Sequence, residues 1–101
     1  MYHFTVRLAG PADESGLARL AALDSAAPLR GPALVAEAES RLIAALPLAA
    51  GRPIADPFEP TAEVLELLEM RKAQLADENA ARSARRRLRS ILRGPATQAR
   101  A

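Results

Sequence analysis

The chain has 101 residues, half of them hydrophobic and 26% charged, so it has room for one small core and an extension and does not resemble a disordered polymer or a fibre. It has no cysteine and a single histidine, His3, which removes disulfides, thiolate metal sites, cysteine nucleophiles and any histidine-based zinc cluster within one chain. The formal net charge of +2 conceals a segregation: residues 1–81 carry seven basic against twelve acidic side chains, net −5, and residues 82–101 carry seven arginines and no acid.

Phe4, Val6 and Leu8 alternate with Thr5 and Arg7, the period of a half-buried strand, which Gly10-Pro11 ends. Asp13 is placed to cap a helix whose apolar positions Leu17, Leu20, Ala21 and Leu23 recur at helical spacing, with Glu14 in its positive first turn. Pro28, Gly31 and Pro32 make Ser25 to Pro32 a loop. Leu34–Ala38 and Arg41–Leu46 read as an antiparallel hairpin joined by Glu39-Ser40, and Ala49-Ala50-Gly51 turns the chain into a strand over Arg52–Asp56. Pro47 and Pro53 suit edges or bulges.

From Thr61 the period becomes helical. Val64, Leu65, Leu68, Lys72 and Leu75 share one stripe, and Glu63, Glu66, Glu69 and Lys72 form an exposed acidic-to-basic progression. If the helix folds back over the sheet, Leu67 and Met70 fall outside that stripe and are left for a partner, with Met70 read rather as ordinary core or helix packing. Ala and Arg favour continuation of the helix to Arg93, Gly94-Pro95 is the expected stop, and disorder is expected beyond it. The longest uncharged run, Leu42 to Gly51, is broken by Pro47 and falls far short of the roughly 20 residues of a membrane span. The opening residues Met1–Arg7 lack the basic start and apolar block of a signal peptide, so a cytoplasmic location is expected. Twenty-four alanines, and thirteen arginines against one lysine, hint at a GC-rich bacterial genome.

The residues Val6-Arg7-Leu8-Ala9-Gly10-Pro11-Ala12-Asp13, followed by Leu17, Leu20 and Leu23-Asp24, resemble the opening of the GNAT superfamily of N-acetyltransferases, where a strand ending in Arg leads through Pro-x-Asp to an amphipathic helix. Leu34-Val35-Ala36-Glu37 and Arg41–Leu46 look like that family's hairpin, with Ile43-Ala44 where the family often has Val-Gly. The resemblance covers residues 4–60. It implies an α/β (α+β) fold, a GNAT-like half domain of order β-α-β-β-β-α over residues 1–81, with a short, mainly antiparallel sheet and a long C-terminal helix. Residues 82–101 then form a basic, Arg-rich tail, partly helical and then disordered.

The departures from the family carry the functional expectation. A catalytic GNAT cradles the coenzyme A pyrophosphate in an Arg/Gln-x-x-Gly-x-Gly/Ala turn, where glycine allows close backbone approach to a positive helix end. Asp56-Pro57-Phe58-Glu59-Pro60-Thr61-Ala62-Glu63 stands in that place, with no glycine, two prolines and three carboxylates. Arg30-Gly31-Pro32 and Arg93-Gly94-Pro95 lie outside the junction, and no strand-like run follows Thr61. The expectation is a domain that has lost acyl transfer, binds no cofactor and self-associates as a homodimer, since a half sheet leaves an open edge and an apolar face. The enzyme alternative is an N-acyltransferase that holds acetyl-CoA unconventionally, across a dimer, with Arg30, Arg52 or the tail arginines on its phosphates.

Among the titratable groups, Glu37 and Glu39 at strand spacing two, the neighbours Asp77-Glu78, and His3 are the general acid or base candidates, each equally explained as a solvated residue. Ser15, Ser25, Ser40, Ser83 and Ser90 have no histidine partner in a motif. No catalytic, cofactor-binding or metal residue is assigned. Arg82, Arg85, Arg86, Arg87, Arg89 and Arg93, flanking the apolar Leu88, Ile91 and Leu92, are the expected contacts for an acidic protein, a nucleic acid or an anionic membrane surface. The bland alternative is a solvated helix or one docked on the acidic body of its own or another chain. The absence of aromatics between the arginines speaks against single-strand base stacking.

Overall fold

A computed structural model describes residues 3–99, with side chains described as far as residue 92. The chain forms an α+β fold: β1 (Thr5–Leu8), a 3₁₀ turn (Pro11–Asp13), α1 (Glu14–Leu23), β2 (Ala33–Ala38), β3 (Arg41–Pro47), β4 (Ile54–Ala55) and α2 (Ala62–Ala99). The four strands lie in sequence order in one sheet, every pair antiparallel. The expected strand over Arg52–Asp56 is reduced to Ile54–Ala55, because Pro53 and Pro57 have no N–H for a ladder.

The sheet is the middle of three layers. Leu34, Ala36, Ala38, Ile43, Ala44 and Leu46 face Val64 and Leu68 of α2, with Phe4 and Val6 packed alongside. On the other face Val35, Leu42, Ala45 and Ile54 meet Leu20 and Ala21 of α1. Alternation along β2 accounts for this division, and β3 departs from it. Its register to β2 steps from Ala36↔Ala44 to Glu37↔Leu42, leaving Ile43 as the extra residue of a bulge. Ile43 and Ala44 therefore both face α2. A sheet buried on both sides explains why β2 and β3 are almost continuously apolar.

α1 lies close against β3 because of Gly16, where an added Cβ would sit 3.2 Å from Leu42 Cδ1. Its C-terminus is a Schellman turn. The Ala26 N–H donates to Ala21 O at 2.9 Å and the Ser25 N–H to Ala22 O at 3.2 Å, with Ser25 at φ +51°. The β2–β3 turn places Glu39 at φ +51° and Ser40 at φ +66°. Two consecutive left-handed residues are the hairpin geometry that matches strand twist, reached here without glycine.

α2 exceeds the globular body. At about 1.5 Å per residue its 38 residues account for most of the 65 Å long axis. Val64 and Leu68 are fully buried, Leu65, Lys72 and Leu75 are half-buried, and beyond Leu75 the described side chains are exposed except for the half-buried Ser83. The helix does not stop at Gly94-Pro95, and its backbone runs to Ala99. Arginine and alanine on either side favour the helix, which carries the backbone across a proline that supplies it no N–H. Leu8, expected on the buried face of β1, is 54% exposed at the strand end, and Met70, expected to pack, is 57% exposed. Among the described residues no helix is long and apolar enough to cross a membrane.

Candidate functional site

The densest polar constellation lies on the α1 face of the sheet. Alternation puts Arg7 beside Val35 on that face, with Glu37 two residues further along β2. Arg7 Nη1 and Nη2 donate to Asp13 Oδ2 and Oδ1 at 2.7 and 2.8 Å, a bidentate pair. Arg7 Nε and Nη2 donate to Glu37 Oε1 at 3.2 and 3.0 Å. The Gly10 N–H completes the Asp13 shell at 2.7 Å. Asp13 stands at the N-cap position of α1, but its side chain makes no cap bond to that helix. The guanidinium and the Gly10 amide take its oxygens instead, which corrects the capping role expected from the sequence.

These groups wall an open cleft of about 430 Å³ that also involves Ser15, Arg19, Ser40 and Arg41 over Gly16 and Leu42. Arg19 donates to Leu42 O at 2.6 Å and Arg41 to Glu59 at 3.2 Å. The chemistry of the cleft is that of a structural clamp. Hydrogen bonds from Arg7 and Gly10 hold the Asp13 carboxyl down at about 2, and the two carboxylates raise the Arg7 guanidinium above its ordinary value. A general base is most effective near the working pH, and Asp13 is held far from it.

Other sequence candidates are dispersed. Glu37 and Glu39 do not share a strand face: Glu37 is in β2 against Arg7, and Glu39 is a left-handed turn residue. His3 is exposed ahead of β1. Asp77 and Glu78 are exposed on α2, with Glu78 3.8 Å from Arg71. Ser25 and Ser40 serve turns, and Ser15 and Ser40 line the cleft with no histidine in it. Arg30 and Arg52 border a second hollow, floored by Pro28, Leu29, Pro47 and Ile54. Among the described residues no group of three or more His, Asp or Glu side chains is arranged to hold a metal.

At the β4–α2 junction Asp56 is buried, its Oδ1 accepting the Phe58 N–H at 2.8 Å while its own N–H donates to Ile43 O at 2.8 Å. Thr61 O accepts the first helical bond, from Leu65 N–H, and Glu63 lies in the first turn. The first turn of α2 carries the acidic Glu63, and the segment leading into it, residues 56–61, holds Asp56, Glu59, Pro57 and Pro60 and no glycine.

The arginines 82, 85, 86, 87 and 89 are all exposed along α2, as are Leu88, Ile91 and Leu92 at 57, 62 and 70%. The Arg93 side chain, included in this set on sequence, lies outside the described side chains. Composition and period thus located the arginine face. The Arg7–Asp13–Glu37 clamp was missed, since it joins residues 6 and 30 positions apart and an arginine alternating with Val6 and Leu8 reads as the solvent side of a half-buried strand. No family model, curated protein or solved structure matches the chain.

Proposed function

We propose that this protein is a GNAT-like half domain that has lost acetyl-CoA-dependent acyl transfer and acts in the cytoplasm as a small self-associating scaffold or interaction module. The observation that carries the reading is the β4–α2 junction. The place a coenzyme A pyrophosphate would need is occupied by Asp56, Pro57, Glu59, Pro60 and Glu63, and carboxylates at that helix end repel a polyanion while prolines offer it no amide. The cleft beside Arg7, Asp13 and Glu37 is supported as a clamp by its internally paired charges. What remains available to a partner is surface: the apolar and arginine-bearing faces of α2.

Calorimetric titration of acetyl-CoA into the full chain tests the loss of acyl transfer. A parallel titration uses a variant with Arg82, Arg85, Arg86, Arg87 and Arg89 changed to Gln, which removes polyanion binding by the exposed helix. The reading predicts no saturable binding by the variant. One-site micromolar binding that survives the five substitutions restores the acyltransferase.

A second reading is supported by the exposure of those five arginines beside Leu88, Ile91 and Leu92: contact with a nucleic acid, an acidic protein or an anionic membrane. It predicts an affinity that falls steeply with salt, and an affinity equal at low and moderate salt contradicts it.

A further inference from the structure

We infer that the outer face of α2 is an antiparallel helix-pairing seam for a second copy of this chain, an inference that rests on the self-association proposed above and assigns its surface. The stripe of α2 used by the core passes through Val64 and Leu68. A different stripe runs along the outside: Leu67, Met70, Ala81, Ala84, Leu88 and Ile91 fall in one series of alternating steps of three and four, with Gln74 and Asp77 filling its two middle positions. That is the a/d spacing of a two-helix seam. Leu67, Met70, Leu88 and Ile91 are 42 to 62% exposed within the single chain, and exposed leucine and isoleucine at seam spacing leave an apolar strip without cover.

The two ends of the strip are complementary in shape. At the N-terminal end Leu67 and Met70 line an open, largely apolar groove of about 330 Å³ with Phe4, Val6, Arg71 and Gln74. At the C-terminal end Leu88 and Ile91 stand on a helix that has left the body. A two-fold axis near Asn79 sets Leu88 and Ile91 of each copy over the Met70 and Leu67 groove of the other, and brings the small Ala81 and Ala84 opposite Asp77 and Gln74.

Charge chooses the occupant and its direction. Residues 62–78 of α2 hold five acids and two bases, a net −3, whereas residues 79–92 hold five arginines and no acid. A parallel pair sets the arginine halves against each other, and an antiparallel pair sets each arginine half along the acidic half of its partner. A second copy therefore satisfies the strip, the groove and the charge together.

The test combines sedimentation of the full chain at tens of micromolar with thiol pairing, for which the absence of native cysteine leaves a clean background. The wild type is expected to sediment as a dimer, and Leu88→Glu/Ile91→Glu, altering exposed positions away from the body, as a monomer of unchanged far-ultraviolet dichroism, with Kd raised about 100-fold or more. Met70→Cys mixed with Leu88→Cys is expected to oxidise to the mixed disulfide. Leu88→Cys alone is expected to stay reduced, since two residues 88 lie about 27 Å apart along an antiparallel pair centred on Asn79. A wild-type dimer that the Glu substitutions leave intact overturns the seam while self-association stands. A like-with-like Leu88→Cys disulfide overturns its antiparallel direction. A monomeric wild type overturns the seam and self-association together, and such a monomer binding phosphatidylglycerol vesicles through Leu88 and Ile91 assigns the strip to a membrane.

Discussion

Asp24 Oδ2 accepts the backbone N–H of Ala55 at 3.1 Å. The neighbouring Asp56 N–H donates inward to β3 at Ile43 O, so the Ala55 N–H points to the free edge of the sheet. The left-handed Ser25 ends α1 just after Asp24, and the carboxylate at this helix end blocks the edge of a two-residue strand flanked by Pro53 and Pro57. Such devices discourage strand addition. The open edge expected from the sequence is thus small and capped, which turns attention for self-association from the sheet to α2.

Removing that cap has a local and a global readout. Asp24→Ala is expected to lower unfolding free energy by about 1–2 kcal/mol in urea titration and to speed hydrogen exchange at the Ala55 amide. Asp24→Asn retains an acceptor and is expected to lose less. An unaltered Ala55 exchange rate in Asp24→Ala contradicts the assignment.

The Arg7–Asp13 clamp sets an acid dependence. The folded Asp13 carboxyl titrates at about 2 against an ordinary 3.8, so its stabilisation is complete above the ordinary value and is lost as pH falls from about 4 towards 2. Denaturation midpoints of the wild type are expected to fall through that window more steeply than those of Asp13→Asn, which has no carboxyl to protonate. Equal slopes in the two proteins would remove the clamp from the account.

The packing of α2 rests on few side chains. Leu68 is fully buried against Leu34, Ile43 and Leu46, and Leu68→Ala is expected to cost about 2–5 kcal/mol. Leu92→Ala, 70% exposed on the same helix, is expected to stay within about 0.5 kcal/mol. Urea titration of the two variants checks the contrast.

Three described non-glycine residues, Ser25, Glu39 and Ser40, hold left-handed turn positions that glycine holds with less strain. Ser25→Gly at the end of α1 and Ser40→Gly in the β2–β3 turn, at φ +51° and +66°, are each expected to stabilise the fold by about 0.5–1 kcal/mol. Raised thermal midpoints in both variants are the expected observation.

These turns also show what local sequence conveys. Leu17, Leu20 and Ala21 announced α1, and the apolar runs flanking Glu39-Ser40 announced the hairpin, because period and burial coincide there. The bulge at Ile43 was illegible, since it changes which face a residue takes without changing how apolar the run is. β4 shrank because its strand signal carried prolines. Asp13 looked like the cap of α1 by position, but its backbone is already helical at φ −89° and ψ −1°, so its oxygens take the Gly10 amide that opens the preceding 3₁₀ turn and the Arg7 guanidinium. Helical spacing set Leu67 and Met70 apart from the stripe of Val64 and Leu68, and their exposure on the folded chain agrees with that separation, Met70 included, which had read as packing.

The central claim is that this small domain works by associating with its own kind, and sedimentation equilibrium of the full chain over a wide concentration range addresses it directly. A reversible approach to twice the 10.7 kDa chain mass as concentration rises is the predicted result. A mass that stays at one chain into the hundreds of micromolar contradicts it.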